Sequence, residues 1–140
     1  MISSPAFREI EDNLSFLDDW EDRYRYIIEL GQALPRLAPE ERTAANKVSG
    51  CVSQVWLVSE PAAGVLHYRG ESDAMIVGGL VAILVALTEG QPATDVADAD
   101  IMAIFDRLGL REHLSTQRSN GLAAMVARIK AEAAALTARG

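Results

Sequence analysis

MIVGGLVAILVAL, residues 75–87, is apolar from end to end and separates two architectures. As a bilayer span it is too short, with 13 residues against the roughly 20 that a hydrocarbon core requires. It therefore reads as a helix buried in a protein core, with Asp73 placed to cap its start and Gly90 with Pro92 placed to end it. Upstream, Val52 to Glu60 is rich in β-formers, with Val55, Trp56, Leu57 and Val58 consecutive. Pro61-Ala62-Ala63-Gly64 supplies a turn, and Val65 to Gly70 alternates well enough to pair back as a hairpin strand. Further out, the pattern is helical on both sides. Phe7, Ile10, Leu14 and Leu17 form one stripe over Pro5 to Leu17, and Asp19 caps a second helix whose stripe is Trp20, Tyr24, Ile27, Ile28 and Leu30. Towards the C-terminus, Ile101, Ile104, Phe105 and Leu108 form a stripe closed by Gly109, and Ser115 caps a long last helix that buries Leu122, Met125, Val126 and Ile129. Pro35 to Gly50 and the acidic Asp95 to Asp100 read as surface connections. The expectation is one α+β domain over residues 1–140, a small antiparallel sheet packed against several helices.

Composition narrows the function. With 140 residues, 49% of them hydrophobic, the chain can bury a core without disulfide or metal. A formal charge of −7 removes the basic footprint of nucleic-acid binding. The N-terminus lacks the charged and apolar segments of a secretory signal, and one cysteine cannot form an internal disulfide, so the cytosol is the expected compartment, with no membrane partner. The only lysines are Lys47 and Lys130. A domain this small seldom carries pyridoxal phosphate of its own.

The chemistry-bearing residue is Cys51, in SGCVSQVW, residues 49–56. A lone cysteine is most often a small buried apolar residue. Its position argues otherwise, because it follows Gly50 at the end of a polar loop and precedes a strand, where a glycine permits a sharp turn and close approach by another molecule. One thiol with two histidines cannot complete a structural zinc site or hold an iron–sulfur cluster. Residue 54 is Gln, so the dithiol pair of an oxidoreductase is missing. A hydrolase would need His67 or His113 beside the thiol. What one thiol completes alone is attack on a sulfur and retention of the product. An unperturbed thiol of pKa about 8.5 is already roughly 3% thiolate at pH 7. Further activation would come from a partner's active site or from Arg42, Lys47 or Arg118, and the sequence leaves that choice open.

These residues lie within longer blocks that resemble the SufE family of cysteine-desulfuration proteins. The blocks are WEDRYRYIIELGQALP (Trp20 to Pro35), Arg42 through Asn46 to Gly50-Cys51, SQVWLV (Ser53 to Val58), SDAMIVGGLVAIL (Ser72 to Leu84), LGLREHLS (Leu108 to Ser115) and RSNGLAAMV (Arg118 to Val126). The resemblance spans nearly the whole chain. It implies a fold similar to iron–sulfur scaffold proteins and a partner that is a pyridoxal-phosphate cysteine desulfurase, SufS-like. It implies that Cys51 takes sulfur from that enzyme, accelerates it, and relays the sulfur to a downstream iron–sulfur scaffold. No resident cofactor or metal is implied, only a transient persulfide on Cys51, and no independent turnover. Two positions depart from the family pattern: Val52, where glutamine is frequent, and Gly78, where lysine or arginine is common.

Around Cys51, the positions expected to support it or face a partner are Gly50, Gln54, Asp73 and Arg118. Asp73 has a plain alternative as a helix N-cap. Arg118, a cation in the first turn of the last helix, is poorly placed for the helix dipole and needs a partner, either an internal carboxylate or the desulfurase surface. Trp20, Tyr24 and Trp56 read as core. The competing functions are an adaptor acting by contact alone and a stand-alone thiol hydrolase.

Overall fold

The computed structural model describes residues 2–50, 53–60 and 63–139. The chain begins with α1 (Pro5–Ser15), where buried Ser4 caps the helix by accepting from the Phe7 N–H at 3.0 Å, and Pro5 supplies a preset φ at the first turn. Phe7, Ile10 and Leu14 form its buried face. Asp19 caps α2 (Trp20–Gln32) through the Glu21 N–H at 2.9 Å, with Glu21 and Asp22 complementing the dipole. Only Ile27 of the expected α2 stripe is fully buried.

The apolar stretch at residues 75–87 forms α3 (Met75–Thr88), which is buried on almost every side. At 14 residues it is roughly 21 Å long, and no helix among the described residues is long and apolar enough to cross a membrane. Leu80, Ile83, Leu84 and Leu87 are each at most 1% exposed, and each such burial contributes about 1.5–3 kcal/mol. α2 and α3 cross at glycines. A Cβ on Gly31 would lie 2.6 Å from the backbone of Gly78 and Gly79, and one on Gly79 would strike the carbonyl and side chain of Ile27. Glycine is what permits this approach of two backbones.

The strands cover one side of α3. β1 (Val55–Ser59) pairs antiparallel with β3 (Tyr68–Ser72), from Val55 opposite Ser72 to Ser59 opposite Tyr68. The hairpin expected of Val65 to Gly70 is divided. β2 (Val65–Leu66) leaves β1 and pairs antiparallel with β4 (Gln91–Pro92), because Gly90, at φ +67°, turns the chain after α3 back alongside it. The turn between β1 and β2 is described from Ala63 onward, and Pro61 and Ala62 lie outside the described residues.

The acidic segment from Asp95 differs from a solvated connection. Residues up to Asp98 belong to α4 (Ala93–Asp98), which buries Ala93 and Val96. Asp100 then caps α5 (Ile101–Arg107) through the Ala103 N–H. The last helix, α6 (Thr116–Arg139), starts at Ser115, whose Oγ accepts from the Arg118 N–H at 3.2 Å. Its buried Leu122, Met125, Val126 and Ile129 close the same core that α3 centres. The architecture is α+β, with two small antiparallel sheets among six α-helices in the described residues.

Candidate functional site

Cys51 and Val52 lie outside the described residues, and the site is built from what surrounds them. Pro35 to Gly50 is more than a surface loop. The Leu57 N–H donates to the Asn46 carbonyl at 2.9 Å and the Val48 N–H to the Val55 carbonyl at 2.8 Å, so residues 46–48 run antiparallel to β1. Residues 46–48 and β1 are thereby paired, and the sequence that connects them, residues 49–54, contains Cys51 and is described at 49, 50, 53 and 54. Gly50, on the incoming side, has φ +89°. A Cβ there would adopt a conformation that L-residues avoid and would sit 3.3 Å from the Ala124 Cβ on α6.

On the outgoing side, Gln54 and Asp73 hold one another. The Gln54 N–H donates to Asp73 Oδ1 at 3.0 Å, and the Asp73 N–H donates to the Gln54 carbonyl at 3.2 Å. This corrects the reading of Asp73 as the cap of α3. The N-cap is Ala74, with no side-chain cap bond, and its own N–H is taken by Ser72 Oγ at 3.2 Å. Asp73 is spent on a long-range pair that ties the exit of the connection to the end of β3. The side chains of Gln54 and Asp73 are exposed.

Beside Ser53 opens a cleft of about 330 Å³, walled by Ala74 and Val77 of α3 and by Gln117, Arg118 and Gly121 of α6. Arg118 is exposed on this cleft, and among the described residues no internal carboxylate pairs with it. Of the three cations considered for thiol activation, Arg42 is committed. Its Nε and Nη2 donate to the two oxygens of Glu71 at 3.0 and 3.1 Å, and Glu71 also accepts from the Leu37 N–H at 2.8 Å. Burial pushes the Glu71 carboxyl up, but Arg42 and Leu37 outweigh it and hold it below the ordinary carboxylate range. Lys47 and Arg118 are exposed.

Both histidines have side-chain partners of their own. His67 Nδ1 is 2.7 Å from Glu89 Oε1, and the His113 ring stacks on Trp20 at 3.6 Å. Trp20, Tyr24 and Trp56 are half-buried rather than core. Trp20 spends its outer faces on His113 and the Arg23 guanidinium, and Trp56 lines a polar cleft with Arg42 and Gln54. Gly78 is buried in the α2–α3 crossing, at the edge of a cleft that Arg36 and Glu71 also line. Among the described residues no group of His, Cys, Asp and Glu is arranged to hold a metal ion. Sequence reasoning missed Asn46 and Glu71 as supports, because each acts through contacts between segments far apart in the chain.

Comparison with known proteins agrees with the blocks read from the sequence. Residues 8–133 match the SufE family model, described as an Fe-S metabolism associated domain. An uncharacterized SufE-like protein of Rhizobium etli is 57% identical over 129 residues, covering 89% of this chain and 87% of the relative. Another from Rhizobium meliloti is 52% identical over 129 residues, covering 89% and 92% respectively. The solution structure of a hypothetical protein from Thermus thermophilus superposes with a TM-score of 0.78 over 99% of both chains, at 18% identity, a likeness of fold.

Proposed function

The chain belongs to the SufE family, whose domain is associated with iron–sulfur metabolism, and on that premise we propose that Cys51 accepts sulfur from a cysteine desulfurase and carries it as a persulfide. The single observation that carries this reading is the setting of the only thiol. Cys51 stands in a short connection whose incoming limb is paired to β1 and whose outgoing limb is paired to Asp73. A carrier needs a thiol borne between fixed segments, and those two anchors hold the described residues on either side of it in sequence.

The chemistry balances with no external oxidant. The Cys51 thiolate attacks the terminal sulfur of the partner's persulfide, and a sulfur–sulfur bond forms at Cys51 as the partner's own sulfur–sulfur bond breaks. The partner's cysteine leaves as a thiolate and takes up the proton that Cys51 gave up. Removing the persulfide frees the desulfurase for another cycle, which is how the carrier stimulates it. The pyridoxal phosphate belongs to that SufS-like enzyme, and a downstream iron–sulfur scaffold receives the sulfur in the cytoplasm. Arg118, exposed on the cleft beside Ser53, is placed to meet the partner, and Gly50, Gln54 and Asp73 shape the connection.

A hydrolase would need an imidazole free to act as base, and His67 and His113 have other partners. An adaptor acting by contact is separated by Cys51→Ser. With a cognate desulfurase and cysteine, this variant is expected to lose all stimulation. Stimulation equal to that of the wild type would assign the protein to the adaptor class.

A further inference from the structure

On α6, Gly121, Ala124 and Arg128 recur at spacings of three and four and so share one face. Along that face, Gly121 lines the cleft at Ser53 on the outgoing side, while on the incoming side Ala124 abuts Gly50 and Arg128 reaches the residues before it. Arg128 Nη1 donates to the Lys47 carbonyl at 2.9 Å and Nη2 to the Ala45 carbonyl at 2.7 Å. Those two carbonyls flank Asn46, whose own carbonyl receives the Leu57 N–H of β1. The guanidinium is itself braced. Its Nε is buried, makes no hydrogen bond among the described residues and faces Glu132 Oε2 as an ion pair at 3.7 Å, and the other Glu132 oxygen accepts from the buried Tyr68 hydroxyl at 2.6 Å. Burial, and then the Glu132 carboxylate, push the Tyr68 hydroxyl up, which keeps it a donor.

We infer that Arg128 is a positioning residue for sulfur transfer: braced by Glu132 and Tyr68, it clamps the Ala45 and Lys47 carbonyls and so fixes the limb that delivers Cys51. The inference rests on Cys51 being the sulfur acceptor. A planar guanidinium fits the task because its fork addresses two carbonyls at once, which an ammonium matches less well. Freeing the limb leaves it held by the two main-chain bonds to β1 and the buried Val48 side chain, so the hairpin opens more often and the thiol spends less time in the transferring geometry.

The test uses Arg128→Ala and Arg128→Lys in the full chain. In Arg128→Ala the Val48 and Leu57 amides are expected to exchange about tenfold faster with deuterium, while the α3 amides keep their wild-type rates. With a desulfurase and cysteine, the maximal rate of sulfur uptake is expected to fall about tenfold, while the concentration of this chain giving half-saturation changes by less than about twofold. Arg128→Lys, which keeps the charge, is expected to recover part of that rate. Equal acceleration of all amides would reduce Arg128 to a general stabilising residue and overturn the inference. An unchanged maximal rate in Arg128→Ala, with the wild type accepting sulfur, would also overturn it. Failure of the wild type to accept sulfur would instead sink the function on which it rests, and the exchange of Val48 and Leu57 would still report on the clamp.

Discussion

Around the crossing of α2 and α3 the chain is held by close apolar contact; between Leu37 and Val48, charge and directed hydrogen bonds add to the burial of those two side chains. The crossing brings glycine backbones together over a helix whose large side chains are almost wholly buried. The Leu37–Val48 segment, besides burying its two end side chains, is tied down at separate points. Arg42 and the Leu37 N–H meet on Glu71, and Glu41 meets Arg69, which also pairs with Glu60. Apolar burial is collective and has no preferred direction, whereas each polar tie can be removed by itself. On the proposed function, the thiol that meets a second protein follows in sequence a segment held in good part by separate bonds, and the dense crossing gives those bonds something fixed to pull against.

The comparison breaks most severely at Gly79. A methyl group there would meet the Ile27 carbonyl with nowhere to go, so Gly79→Ala is expected to cost about 3 kcal/mol in urea unfolding. A loss below about 1 kcal/mol would mean that α2 yields easily, and the contrast between the two regions would fade. Next comes Arg42→Met, which keeps the aliphatic stem but strands the mostly buried Glu71 carboxylate. It is expected to cost about 2 kcal/mol, with faster exchange at the Leu37 amide and none at α3. Acceleration shared by both regions would contradict separate modes of attachment.

The smallest effect sharpens the comparison through pH. Hydrogen bonds from Arg69, and then from the Ala38 N–H, hold the Glu41 carboxyl down to about 2. Since that lies below the unfolded value of about 4.3, the stabilisation is complete above that pH and is lost as pH falls towards about 2. Thermal unfolding of Glu41→Gln is therefore expected below that of the wild type at neutral pH, and the gap is expected to close through this acidic window. A gap independent of pH would remove the ionised carboxylate from the account.

The same contrast explains what could be read from the sequence. The Ser115 and Asp19 caps, Phe7, Ile10 and Leu14 of the α1 stripe and the buried helix over 75–87 are local patterns, and they stand where the spacing put them, whereas Leu17 falls beyond the end of α1 and is only half-buried. Asp73 misled because an aspartate before a helix looks like a cap, whereas its partner, Gln54, is 19 residues away. The pairing of 46–48 with β1 was hidden because Asn46 and Lys47 carry no strand signal and the bonds are made by the backbone. Nothing adjacent to Arg128 sets it apart from other arginines, since its acceptors are carbonyls 81 and 83 positions earlier. Cys51 was legible by a different route, as the only cysteine of the chain within blocks that resemble one family.

The central claim, that Cys51 receives the sulfur, is tested most directly by intact mass and peptide mapping after incubation with a cognate cysteine desulfurase and cysteine. The account predicts added mass of one sulfur atom on the peptide containing Cys51, and none when either desulfurase or cysteine is omitted. A competent desulfurase that turns over in the presence of this protein yet leaves Cys51 unlabelled would contradict it.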